Sequence, residues 1–211
     1  MDLVPAPEPA SLVERVAKMH IEGKSPNGMF GFHVPTVCGK FVRTTKWEKT
    51  WAACFTNLLN DVIKYDNETN GPWPEFDAAC KQVIAVVIPR LLGALQSDGR
   101  SIEPVLIHGD LWEQNVGIDM ETGDTILFDP GYEWDDRNRL YSIHIYLNDS
   151  AGHPGSISRA TAYNDMLYLC EKYAPLEGLG TYRPEDDVSV TGAYIEHETT
   201  KMSHMHHAVK A

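Results

Sequence analysis

The helical rhythm of this 211-residue chain breaks once, between Val105 and Phe128, and that break limits the fold more than any other feature. Up to Leu95, and again after Trp134, apolar residues recur three and four apart, the spacing that gives a helix one buried face. Between these stretches, Val105-Leu106-Ile107 and Thr125-Ile126-Leu127-Phe128 are short apolar runs, and Glu121-Thr122-Gly123-Asp124 has the composition of a hairpin turn. The order predicts strand, loop, hairpin and strand set into helices, a mainly helical α+β fold. A chain of this length supports one core that buries roughly 70% of the unfolded surface.

The helical parts have their own punctuation. Pro5, Pro7 and Pro9 predict an extended segment over residues 1–10. Ser11 with Glu14 three residues on is a capping-box pattern, and Leu12, Val16 and Met19 share the face that follows. Ser25-Pro26-Asn27-Gly28 predicts a turn, and His33 after it reads as a partly buried histidine in a packed loop rather than a substrate contact. Thr45 and Glu48 repeat the capping box ahead of Trp47, Trp51, Phe55, Leu58, Leu59 and Val62, which predict a long helix with aromatic residues in the core. Phe76, Cys80, Val83, Val87, Leu91 and Leu95 predict another, kinked or divided at Pro89. Two more follow, one carrying Leu140, Tyr141, His144 and Leu147, the other Ile157, Tyr163, Leu167 and Cys170.

A net charge of −12 argues against nucleic acid or an anionic membrane as a partner, because polyanions are held by clustered Lys and Arg. Any phosphate bound here needs a local cation, most simply Mg²⁺. Cys38, Cys54, Cys80 and Cys170 are widely spaced and form no C-x-x-C pair, so they read as reduced and mostly buried in a cytoplasmic protein. No secretory leader and no apolar run long enough to cross a bilayer is expected. His204, His206 and His207 read as part of a solvated tail over 196–211 rather than a metal site.

The stretch that carries chemistry is Leu106-Ile107-His108-Gly109-Asp110-Leu111-Trp112-Glu113-Gln114-Asn115, followed on the far side of the hairpin by Phe128-Asp129-Pro130-Gly131. Asp110 and Asn115 stand five apart, as the catalytic Asp and the metal-binding Asn do in the loop H-R-D-x-x-x-x-N. An Asp in that position takes or orients the proton of the attacking hydroxyl. Mg²⁺ bridging nucleotide phosphates prefers a shell of oxygen ligands, and Asp129 at the end of the second hairpin strand supplies a further one. His108 reads as a brace that hydrogen-bonds backbone and holds the loop. Ordinary turn chemistry accounts for each of these residues singly but not for their joint spacing.

His108-Gly109-Asp110 in place of His-Arg-Asp resembles the aminoglycoside and choline kinase branch, and with Leu111, Trp112 and Asn115 it resembles the fructosamine (ketosamine) kinase family within it. Ser25-Pro26-Asn27-Gly28, Phe30-Gly31-Phe32-His33, Asn70-Gly71-Pro72-Trp73-Pro74 and Asn148-Asp149-Ser150-Ala151-Gly152-His153-Pro154-Gly155 are also similar to segments of that family, so the likeness spans most of residues 11–195. The resemblance implies the C-terminal lobe of a protein-kinase-like fold with a small catalytic β-hairpin. It implies ATP- and Mg²⁺-dependent phosphorylation of the 3-hydroxyl of a fructosamine or ribulosamine on protein lysines or small amines, whose unstable product sheds the sugar. Asp110 is then the base, and Asn115 and Asp129 are the metal ligands. Trp112 packs near the sugar or is a buried structural tryptophan.

Two departures from the family accompany the resemblance. Nothing before Ser11 reads as the strand pair that covers the nucleotide or as the strand Lys that pairs with its phosphates, and neither Lys18 nor Lys24 lies on a strand. After Asp129-Pro130-Gly131 the chain passes through Tyr132 and Glu133 directly to Trp134-Asp135-Asp136-Arg137, where the family has a longer segment. The expectation is a kinase-like C-lobe over 11–195 with an internal deletion near 131–134. The competing reading is a catalytically impaired fragment or pseudokinase that binds a partner or has no function.

Overall fold

Thr50 decides where the longest helix begins. Its backbone is extended (φ −127°, ψ 147°), and its hydroxyl accepts from the Ala53 N–H at 3.2 Å, which satisfies one of the donors that every helix start leaves open. The computed structural model of the chain describes residues 9–107, 116–118, 125–127 and 136–187. Within them, α1 (Pro9–Glu22) is followed by a hairpin of β1 (Thr36–Cys38) and β2 (Phe41–Arg43), then α2 (Trp51–Asn70) and α3 (Pro74–Gln82). A short α4 (Ile88–Leu91), a hairpin of β3 (Val116–Ile118) and β4 (Thr125–Leu127), α5 (Asp136–Gly152) and α6 (Ser158–Tyr173) complete the order. The mainly helical α+β class expected from the sequence is the fold observed.

Both expected capping boxes are displaced. α1 begins at Pro9, a residue suited to a first helical turn because it has no N–H to leave unpaired, so Ser11 lies inside the helix. Glu48 cannot sit inside α2, because its backbone exchanges hydrogen bonds of 2.8 and 2.7 Å with Phe30 and is extended. Gly31 permits this approach, since a Cβ there would stand 2.8 Å from the Lys46 carbonyl oxygen. The turn at Ser25-Pro26-Asn27-Gly28 forms as expected, with the Ser25 hydroxyl donating to the Met29 carbonyl at 2.7 Å. His33 is exposed rather than partly buried, its ring against Phe32 at 4.5 Å.

The β1–β2 hairpin was not foreseen. Its strands are three residues each, joined through Gly39-Lys40 in the register Val37↔Val42, too short to show a period in sequence. Val105-Leu106-Ile107, expected as a strand, makes only an isolated antiparallel bridge from Val105 to Lys24, and Leu106 and Ile107 are exposed. The hairpin at the expected turn does form, as β3 and β4 in the register Val116↔Leu127, Gly117↔Ile126, Ile118↔Thr125.

Pro89 divides its helix as expected, with a specific geometry. α3 widens into a π-helical turn at Val83–Val87 before α4 resumes, because Pro89 has no N–H and its ring crowds the carbonyl of Ala85. The helical stretch Pro74–Gln96 reaches membrane-spanning length and contains an 18-residue window with a mean hydropathy of 1.6, contrary to the expectation from sequence. Part of this apolarity lies in the core, where Phe76, Ala79, Val83, Val87 and Leu92 are fully buried.

α2, α5 and α6 pack around Phe55, Leu59, Val62, Leu140, Ile143, Leu147, Met166 and Leu169, all fully buried. Trp51 borders this core as expected, its indole N–H donating to the Tyr141 hydroxyl at 2.8 Å. Cys54, Cys80 and Cys170 are free and buried, and burial pushes the Cys54 and Cys170 thiols up to about 11.

The least expected packing element is a charge. Asp66 of α2 is fully buried, 2.8 Å from Nε of Arg159 on α6, and accepts from the Ser150 hydroxyl of α5 at 2.6 Å and from Asn70 at 3.0 Å. Arg159 also donates to Asn67 and to the Gly71 carbonyl, each at 2.8 Å, at the end of α2. One carboxylate therefore meets three helices.

Removing one partner of such a buried pair typically costs about 3–5 kcal/mol, and truncating a fully buried Phe costs about 3–5 kcal/mol. Arg159→Met and Phe55→Ala are each expected to lower the urea midpoint strongly, while Val37→Ala, at a residue 66% exposed, leaves it nearly unchanged. A midpoint for Arg159→Met equal to that of the wild type would remove the Asp66 pair from the account of stability.

Candidate active site

The residues singled out for chemistry, His108, Asp110, Trp112, Asn115 and Asp129, all lie outside the described residues, as do His204, His206 and His207. The structure describes the frame to which they are joined. The segment leading to His108 is fastened across the end of α1: Ser25 N–H donates to the Pro104 carbonyl at 3.0 Å, and Leu106 N–H donates to the Gly23 carbonyl at 2.6 Å. Gly23 lets the two chains touch, because a Cβ there would stand 2.5 Å from the Leu106 Cβ. Lys24 pairs with Glu103 at 2.6 Å across the same junction and has found a structural partner.

The second fixed point is the β3–β4 hairpin. Val116 follows Asn115 and Leu127 lies two residues before Asp129, and these two strand residues are paired. The third is the first turn of α5, which begins seven residues after Asp129. Among the described residues no group of three or more His, Cys, Asp or Glu side chains is gathered in the way a metal ion requires.

The charged groups at this third point were missed in the sequence reading. Asp136 accepts from Lys172 Nζ at 2.6 Å and from the hydroxyls of Tyr168 and Tyr173. Burial acts to raise its pKa, but these donors outweigh it and hold the carboxylate below its usual range. Arg139 Nη1 stands 2.5 Å from Asp165 Oδ1 and 2.7 Å from Asp187 Oδ2. Burial raises the Asp165 carboxyl to about 7, the Asp187 charge adds to the rise, and Arg139 opposes it. Two carboxylates thus share one guanidinium on nearly buried ground. The partners come from α5, α6 and a segment beyond α6, separated by 26 and 48 residues, so no local spacing could have pointed to them.

A second polar cluster lies on the next turns of α5. Arg43 of β2 is buried and donates to Asn148, and His144, one turn before, is buried and has no hydrogen-bond partner among the described residues on either ring nitrogen. Burial, then the Arg43 charge, pushes the His144 pKa down to about 3, so it stays neutral throughout the physiological range.

A family model described as fructosamine kinase matches residues 4–149. The chain is 29% identical over 126 residues to a probable ketoamine kinase of Staphylococcus aureus, covering 60% of this chain and 41% of that protein. It is 29% identical over 122 residues to the chloroplastic protein-ribulosamine 3-kinase of Arabidopsis thaliana (57% and 35%), and 31% identical over 108 residues to the ketosamine-3-kinase of Mus musculus (48% and 30%). The chain thus spans between 30% and 41% of the length of these relatives. A crystal structure of a protein assigned as a fructosamine-3-kinase from Haemophilus somnus superposes with a TM-score of 0.54 at 14% identity, covering 80% of this chain and 66% of the other, a likeness of fold.

The Asp165 environment has a measurable consequence. Its folded pKa lies above that of an unfolded carboxyl, so the native state holds the proton more tightly. The stabilisation linked to that proton is present at acidic pH and lost as pH rises toward about 7. Asp165→Asn keeps an acceptor for Arg139 without the titration. Its melting temperature is expected to gain on the wild type from pH 5 to about pH 7 and to level off above that; a difference that does not change with pH would contradict the assignment.

Proposed function

Because the chain belongs to the fructosamine kinase family, we propose that it forms the catalytic-loop lobe of an enzyme that transfers the γ-phosphoryl group of ATP to the 3-hydroxyl of a ketosamine. The observation that carries this reading is the family match over residues 4–149, which contains both His108-Gly109-Asp110-Leu111-Trp112-Glu113-Gln114-Asn115 and Asp129-Pro130-Gly131. The hairpin register supports it, since pairing Val116 with Leu127 brings the attachment of Asn115 and that of the Asp129 segment to one end of the ribbon. The names of the relatives, ketoamine kinase and protein-ribulosamine 3-kinase, support the substrate class.

In this reading Asp110 orients the attacking hydroxyl and accepts its proton, which a positioned base makes worth about 10²–10⁴-fold in rate. Asn115 and Asp129 are the oxygen ligands for Mg²⁺, whose charge offsets that of the phosphates. His108 braces the loop, and Trp112 lies beside the sugar. The substrate is a glycated lysine or amine, and the role is removal of the sugar after phosphorylation.

Mg²⁺ with ATP at millimolar concentration is expected to raise the melting temperature of the chain slightly, and Asp129→Ala to abolish that rise. Equal shifts in the two proteins would reduce Asp129 to a turn residue. Phosphoryl transfer depends on positioning, and these 211 residues span only 41% of the Staphylococcus aureus relative. Ribulosamine phosphorylation is therefore expected from a fusion with a family N-terminal lobe ahead of Ser11, and negligible turnover from the 211 residues alone. Asp110→Asn in the fusion should lose about 10²-fold or more. Turnover by the fusion that survives Asp110→Asn would remove Asp110 from the proposed mechanism.

A further inference from the structure

Arg159 sits against Asp66, and Arg139 against Asp165 and Asp187. Arg43 is buried more deeply than either, at 5% exposed, yet no carboxylate pairs with it among the described residues. Its Nη2 donates to the Asn148 side chain, while Nε and Nη1 are closed to solvent and have no partner among the described residues. The carboxylates next to these contacts along the chain are engaged elsewhere. Asp61 accepts from the Thr44 N–H at 2.6 Å and from its hydroxyl at 3.1 Å, and Asp149 accepts from Ser156 at 2.8 Å and Ser158 at 2.6 Å.

His144 lies one turn before Asn148, so the two side chains leave the same face of α5. It is 6% exposed, and the Arg43 charge acts on its ring. A neutral imidazole still carries one N–H. The donors of Arg43 and that of His144 thus end in one interior region with nothing on the described chain to accept from them. Buried donors are nearly always paired, and a buried charge without a counter-charge costs more than any unpaired neutral group.

The β1–β2 hairpin carries Arg43 to this place. Along β2 the Val42 side chain faces solvent at 51% exposed, while Phe41 and Arg43 on either side of it turn inward. The Phe41 ring packs on that of Tyr65 in α2 at 4.8 Å, and the Tyr65 hydroxyl donates to the Val42 carbonyl at 3.1 Å. Asp61, which holds Thr44, is also on α2. The hairpin is therefore anchored to one helix and delivers its guanidinium across to another.

We propose that Arg43 and His144 hold a small monovalent anion, a halide such as chloride, in the interior beneath the β1–β2 hairpin. One negative charge matches one guanidinium beside a neutral imidazole. The closed surroundings select an ion without bulk, so an oxyanion of two charges, such as sulfate, fits in neither size nor charge. The ion ties β2 to α5 and stabilises the docked hairpin. None of this rests on the phosphotransferase reading.

The test is the melting temperature of the full chain at constant ionic strength, with sodium gluconate, whose anion is too bulky for the site, replaced stepwise by sodium chloride. Arg43→Met removes the charge and fills similar space, a change that buried ionic sites often tolerate. His144→Phe removes both ring nitrogens and keeps a flat ring. The wild type is expected to gain on Arg43→Met saturably as chloride rises, as a protein does with a ligand that binds only its folded state. His144→Phe is expected to need at least about tenfold more chloride for half of that gain. Bromide is expected to replace chloride, and sulfate is not. Equal responses in the wild type and Arg43→Met would reveal a general salt effect and overturn the site, as would sulfate acting as well as chloride. Should Arg43→Met fail to fold, His144→Phe decides alone: a chloride midpoint equal to that of the wild type, or no saturable response in the wild type, overturns the proposal.

Discussion

The buried carboxylate of Asp66 is the constraint on which the helical packing turns. An apolar contact between helices tolerates small sliding, because neighbouring ridges and grooves differ little in energy. A fully buried charge does not, since each lost partner leaves an uncompensated group in a low-dielectric interior. With Arg159 from α6, Ser150 from α5 and Asn70 from its own helix around it, Asp66 fixes the relative rotation and height of three helices. The apolar residues Phe55, Leu59, Leu147 and Met166 then supply the bulk of the burial around a geometry already chosen.

The same logic operates at the opposite, α5-entry end of the bundle, where Arg139 and Asp136 do for the first turn of α5 what Asp66 does for the end of α2. One junction orients the bundle, and the other presents the helix that follows the segment carrying Asp129. Between them lies a neutral, buried His144 beside Arg43, so α5 carries polar anchors along most of its length. Its neighbours α2 and α6 reach it through both apolar and ionic contacts.

Much of this was legible in the chain. The long period from Trp51 to Val62 is carried by local geometry, as are the division at Pro89 and the turn at Ser25-Pro26-Asn27-Gly28, and all three appear where expected. The helix starts were misplaced for two reasons: Pro9 already opens α1 ahead of Ser11, and the second start is blocked by a distant strand pairing. A Ser or Thr three residues before a Glu is a cap only if the backbone there is free to begin a helix, and the pairing of Glu48 with Phe30 removes that freedom. The exposed His33 and the isolated bridge at Val105 share the cause, since both depend on which distant segment arrives beside them.

The sequence by itself determined the helical class, the later of the two β hairpins with its turn, and the spacing of Asp110, Asn115 and Asp129 that carries the family likeness, because these are set by neighbours a few residues apart along the chain. Only the tertiary structure decided where charge is buried. Asp66 and Arg159 are 93 residues apart, and Arg139 and Asp187 are 48 apart. A carboxylate destined for the core looks the same in sequence as one bound for solvent. The difference lies in the partner that folding brings to it, and the energy of an ion pair depends on the medium around it as much as on the two residues that form it.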